Sequence, residues 1–111
     1  MPAYKLLGQA RPAATTLTDL YTCPAGTQTV ISTLRVVNDD ASSDATFYVT
    51  HAAGGAADAT SQRIYPHATP LPVTDWHTDT IGITMAAGDV LRVYCSLATC
   101  NFHVWGSEEP V

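Results

Sequence analysis

Apolar and polar residues alternate with period two along most of the chain, and the longest alternating runs organise the rest. Residues 28–38 place Val30, Ser32, Leu34 and Val36 on one side and Thr29, Ile31, Thr33, Arg35 and Val37 on the other, the pattern of a strand with one face against a core. A shorter run, 16–22, carries Leu17, Leu20 and Tyr21, and Pro24-Ala25-Gly26 lies between the two. Proline presets φ and glycine tolerates φ > 0, so the tripeptide is expected to reverse the chain within a strand, turn, strand unit. Further on, Ile81, Ile83 and Met85 precede the turn Ala86-Ala87-Gly88-Asp89, after which Leu91, Val93 and Cys95 face in, opposite Val90, Arg92 and Tyr94. The chain returns with Cys100, Phe102 and Val104 inward and His103 and Trp105 outward, the pattern of a meander.

Strands are predicted over 4–8, 16–21, 28–37, 46–51, 62–65, 79–85, 90–95 and 101–105, with turn residues between them. No span of ten residues or more has apolar spacing of i, i+3, i+4, i+7, so no substantial helix is expected. Pro66, Pro70 and Pro72 mark 65–73 as an irregular or edge crossing, and Gly54-Gly55-Ala56-Ala57-Asp58 is expected to be a flexible, exposed tip. The fold class predicted is all-β: an antiparallel β-sandwich of about eight strands, Greek-key or jelly-roll-like. At 111 residues it is expected to be one domain, 1–111, with residues 1–12 as an arm or edge strand.

Composition changes this picture in one respect. Charged residues make up only 14% of the chain against 46% hydrophobic, where an ordinary domain carries roughly 25% charge. The exterior must therefore be largely uncharged Thr, Ser and Ala, which is cheaper to bury against a partner. The net charge is −5, and Lys5, Arg11, Arg35, Arg63 and Arg92 are scattered, so no basic cluster exists for nucleic acid. The N-terminal residues lack a signal-peptide pattern and no apolar run approaches 18 residues, from which synthesis in a cytoplasm and no membrane span are expected.

Candidate chemistry is sparse. Cys23, Cys95 and Cys100 are read as buried thiols of a reducing compartment. A Cys95–Cys100 disulfide requires the two to sit opposite each other at about 5.5 Å between Cα atoms. A zinc site from Cys95, Cys100 and His103 fails on direction, because His103 faces away from Cys100 on a regular strand. Asp75, His77 and Asp79 at i, i+2, i+4 share one side of an extended chain, with Trp76 opposite; this is a candidate ligand face for an ion or a sugar, or a solvated strand face. No nucleophile elbow, phosphate loop or His-Glu-x-x-His is present. No catalytic residue, metal or cofactor is expected, and the chain is read as not an enzyme.

Four stretches carry a resemblance: Tyr4-Lys5-Leu6-Leu7-Gly8-Gln9; Thr15 to Thr22 followed by Pro24-Ala25-Gly26; Val30-Ile31-Ser32-Thr33-Leu34; and Ala86 to Tyr94 with Trp105-Gly106-Ser107-Glu108. The chain resembles small β-sandwich virion structural proteins of tailed bacteriophages. The resemblance implies a homo-oligomer that binds the major capsid protein or other virion subunits, and for a decoration protein a trimer at local symmetry points is expected. It implies a capsid decoration or cement protein in the virion, made in the host bacterial cytoplasm, or else a neck, tail or fibre subunit. A reading of another class is a carbohydrate-binding module using Trp76, Tyr65 and Asp75. Tyr4, Lys5, Leu6 and Leu7 form the candidate interface strand, available for strand addition, with Arg11 beside it.

Overall fold

The computed structural model describes residues 4–111, the His67 side chain excepted. Residues 1–3 of the expected N-terminal arm lie outside the described residues. Eight strands form in chain order: β1 (Lys5–Ala10), β2 (Thr18–Thr22), β3 (Thr27–Asn38), β4 (Ala45–Ala52), β5 (Arg63–Leu71), β6 (Trp76–Met85), β7 (Val90–Cys95) and β8 (Cys100–Pro110). Single 3-10 turns, Ala53–Gly55 and Thr60–Gln62, interrupt the β4–β5 connection. One sheet has the order β1-β8-β3-β6 and the other β2-β7-β4-β5. All pairings are antiparallel. This is the expected eight-stranded sandwich, and its strand order is that of a jelly roll.

The pairing differs from the local expectation. β2 pairs with β7 while β3 lies between β8 and β6, so the Pro24-Ala25-Gly26 turn carries the chain from one sheet to the other. The same holds for β6, β7 and β8, which alternate between sheets rather than form a meander. Of consecutive strands only β4 and β5 are paired. The physical reason is burial. Two strands that each have one apolar face can bury those faces against one another only when they lie in opposing layers, about 10 Å apart.

The faces of β3 also differ from strict alternation. Its ladder shifts register between Ile31 and Thr33, and Thr29, Ile31, Leu34 and Val36 are all buried. Against β8, β3 carries an extra residue at Ser32–Thr33, which turns a strand that would otherwise show Ile31 and Leu34 on opposite faces. Gly106 of β8 lies beneath this bulge, where a Cβ would fall 2.0 Å from the Val30 carbonyl oxygen. The rest of the core follows the alternation: Phe47, Val49, Leu91, Val93, Phe102 and Val104 are fully buried. β5 runs through Pro66 and Pro70 because it is an edge strand, where a missing N–H breaks no ladder bond.

Cys95 and Cys100 are joined as a disulfide, with Cα atoms 6.5 Å apart, which corrects the expectation of free thiols. The positional requirement is met: the two residues end β7 and begin β8, in facing sheets, with both side chains buried. The bond therefore staples one layer to the other at a corner. Cys23 remains a buried free thiol, its Sγ 3.2 Å from Thr29 Oγ1. Replacing both Cys95 and Cys100 by serine should lower stability by about 2 kcal/mol, the loop-entropy value for so short a closure. Urea unfolding with and without reductant checks this, and the reductant should have no effect on the double variant.

Candidate functional site

The two outer faces of the sandwich are finished differently. Over the β2-β7-β4-β5 sheet lies the chain's own β4–β5 connection. Arg92 donates to the Ala56 carbonyl at 2.7 Å and the Gly55 carbonyl at 3.3 Å, and to Asp19 Oδ1 at 3.0 Å. Arg63 donates to Asp58 Oδ1 at 2.9 Å and the Ala59 carbonyl at 3.0 Å. Its guanidinium lies 4.1 Å from the centre of the Tyr48 ring, which stacks on Tyr94. Thr50 beneath is wholly inaccessible. Gly54 and Gly55, expected in a free tip, are instead held: the Gly54 N–H donates to Asp89 Oδ1 at 2.8 Å. Two arginines, far apart in sequence, decide this.

No described segment covers the outer face of the β1-β8-β3-β6 sheet in that way. Trp105 and His103 stack at 5.6 Å with ring planes 10° apart, on the outward side expected from the alternation. Arg35 is paired with His103 across one ladder and with Thr78 across the other, donates to Thr78 Oγ1 at 3.0 Å and sits 5.5 Å from the Trp76 ring centre. Leu6 pairs with Trp105. Leu6 is 45% and Trp76 57% exposed. The surface thus joins two tryptophans, a histidine and a leucine around one fixed charge, the composition enriched in protein interfaces.

The candidate interface residues separate on this geometry. Tyr4 is 76% exposed, and Lys5 Nζ is 2.6 Å from Glu108 Oε1. Leu6, paired with Trp105, points outward while the adjacent Leu7 packs against the core, as alternation requires. Arg11 is engaged within the chain, donating to the Ala98 carbonyl at 3.1 Å and Asn101 Oδ1 at 3.3 Å, with Asp39 Oδ2 at 3.6 Å.

The candidate ligand face also divides. Asp75 precedes β6 in a turn, its amide donating to the Pro72 carbonyl and its Oδ1 accepting from the Trp76 N–H at 2.8 Å. His77 and Asp79 lie together on the inward side of β6, Nε2 to Oδ2 2.9 Å, and Tyr65 Oη donates to the same Oδ2. The Phe47 ring lies under both Tyr65 and His77, at 5.8 and 5.9 Å. This cluster closes the gap between the edge strands β5 and β6 with a polar rim. Trp76 projects to the opposite side, so the grouping of Trp76, Tyr65 and Asp75 expected for a sugar site does not form one surface. His103 is on the outer face and Cys95 and Cys100 are bonded to each other inside, so these three do not converge on a metal either.

Electrostatics ties these groups to folding. The Tyr65 hydroxyl, then His77, hold the Asp79 carboxyl below its usual range. Lys5, then Tyr21, do the same for Glu108. A carboxyl whose folded pKa is depressed adds stability that is fully present above its unfolded pKa, about 3.9 for Asp and 4.3 for Glu, and lost as pH falls through the folded value. Stability should therefore be level from neutral pH down to about 5 and fall below about 4. The Asp79→Asn variant should show a shallower acid limb in urea titrations across that range. An unchanged acid limb would remove Asp79 from this role.

The chain matches no protein-family model and no curated protein. It is similar to two solved crystal structures of a pentameric capsid protein isolated from metagenomic phage sequences, one of them phased by iodide SAD. Identity is 21% and 22%, with 98% of this chain covered in each case. It spans 65% and 69% of those chains, with a TM-score of 0.35 for both, a likeness too distant to bear on function.

Proposed function

We propose that this chain is a structural protein of a bacteriophage virion, made in the host cytoplasm, and specifically a decoration or cement protein that stabilises the shell through protein–protein contacts. The observation that carries the proposal is the asymmetry of the sandwich: one outer face is closed by the chain's own loop, the other presents Trp76, Trp105, His103 and Leu6. A jelly roll recurs in viral capsid proteins and in lectins, and a fold alone does not choose a function. The sparsely charged exterior and the resemblance to phage virion proteins favour the first. In this reading the protein works without catalysis or cofactor, as a homo-oligomer that, once on the shell, is arranged as a trimer at local symmetry points. Many copies each bury modest area, and the shell gains from their number.

The test is binding of the purified protein to shells assembled from the major capsid protein of the same phage. Co-sedimentation and a raised shell melting temperature are expected. Trp105→Ala should weaken binding by about tenfold or more, since truncating an interface tryptophan commonly costs about 2 kcal/mol. Shells that neither bind the protein nor gain stability would overturn the decoration role. Label confined to the tail in intact virions would place the subunit there instead.

A further inference from the structure

The sandwich has four sheet edges, and three are blunted. β1 is six residues long, its register breaks between Leu6 and Gly8, and its Lys5 is paired with Glu108. β2 is five residues with a break between Asp19 and Tyr21. β5 contains Pro66 and Pro70, and Ala68 between them sits at φ 64°. Short length, bulges, charge and proline are the devices by which proteins keep an open edge from pairing with another chain.

β6 lacks the short length, the proline and the outward charge that blunt the other edges. It is ten residues, Trp-His-Thr-Asp-Thr-Ile-Gly-Ile-Thr-Met, without proline or lysine. Its accessibility alternates without interruption, Trp76, Thr78, Thr80, Gly82 and Thr84 being the exposed positions. β6 shares with β1 and β2 a register shift, carrying one more residue than β3 between Thr80 and Ile83, yet the outward alternation continues on both sides of it. Asp79 is its one carboxylate, and it is turned inward to Tyr65 and His77. Along its other side β6 has no strand partner among the described residues, so a row of main-chain N–H and C=O groups faces outward.

We propose that this edge pairs antiparallel with β6 of a second copy, across a two-fold axis, joining two four-stranded sheets into one of eight. Such an edge is complementary to its own two-fold image, because an antiparallel strand offers acceptors where the other offers donors. Charge permits the approach: although the chain carries −5 overall, the outward positions of the strip, Trp76, Thr78, Thr80, Gly82 and Thr84, hold no acidic or basic residue. An axis near Thr80 sets each Asp79 against Ile81 rather than against its twin. It also brings each Trp76 opposite Thr84 and diagonal to Gly82, where no atom lies within 4 Å of a Cβ position and the ring has room. Threonine fills the remaining outward positions, a residue that suits cross-strand pairs. The contact does not rest on the virion proposal, since it is a property of the chain by itself.

The experiment uses the full chain without shells. Sedimentation equilibrium should show a dimer that dissociates on dilution, and hydrogen exchange at high concentration should protect alternate amides within 76–85 that exchange freely at low concentration. The double variant Thr78→Lys, Thr80→Lys places four cations along the shared edge and should weaken dimerisation by at least about tenfold at low salt. High salt should restore part of it, with the melting temperature of the monomer unchanged. Trp105→Ala, on the other part of the face, should leave the dimer intact while weakening shell binding. A chain that stays monomeric at all concentrations overturns the proposal. So does an oligomer whose β6 amides remain unprotected, one that protects β1 as well as β6, or one indifferent to the lysines.

Discussion

Gly106→Ala should be among the most damaging single substitutions in the chain. The added Cβ would lie 2.0 Å from the Val30 carbonyl oxygen and 2.9 Å from Ile31 Cα, both main-chain atoms of the strand that bulges over it. Overpacking costs about 1–3 kcal/mol when side chains can give way. Here the obstruction is backbone, held by the ladders of β3 to β6 and β8, so a loss at or above about 3 kcal/mol is expected. That is a large part of the roughly 5–15 kcal/mol available to a domain of this kind. Gly82→Ala is the matched control, because β6 leaves open space at that position and a strand glycine gains from a side chain. Urea midpoints for the two variants decide it: a Gly106→Ala loss under 1 kcal/mol, or equal losses at both sites, would contradict the account.

Phe47→Ala is expected to cost about 3–5 kcal/mol, the range for truncating a buried phenylalanine. The ring is fully buried and meets Phe102 of the facing sheet at 6.1 Å, so its loss opens a cavity between layers rather than at a margin. It also supports Tyr65 and His77 from below. Removing it should therefore weaken the rim hydrogen bonds to Asp79, and Tyr65→Phe should cost less in the Phe47→Ala background than alone. A double-mutant cycle measures that coupling. Additive losses would mean that the rim stands without the ring, and a Phe47→Ala loss below 2 kcal/mol would mean that the core collapses to fill the space.

Much of the molecule is legible in its amino-acid order. The inward sets of β7 and β8, the outward placement of His103 and Trp105, the edge character of the proline-rich strand and the sandwich class all follow from alternation and turn chemistry. The exposed side of Trp76 and the inward side of His77 and Asp79 were half legible: parity put them on opposite faces. Asp75 lay beyond its reach, because the residue belongs to a turn that takes its carboxylate for the next amide. Residues 54–58 read as a loose tip because the chain's small residues announce flexibility locally. The arginines that pin them come from β7 and β5.

By itself the amino-acid order determined where strands form, where the chain turns and, bulges apart, which side of each strand is apolar, since these depend on neighbours one or two residues away. Only the tertiary structure decided which strand lies beside which, that the short turns cross between layers, that Cys95 meets Cys100, and that one outer face is covered while β6 is left unpaired. Period-two alternation points each side chain relative to its own strand and says nothing of the partner. Partners are chosen when two apolar faces, brought together from distant parts of the chain, exclude water from the space between them.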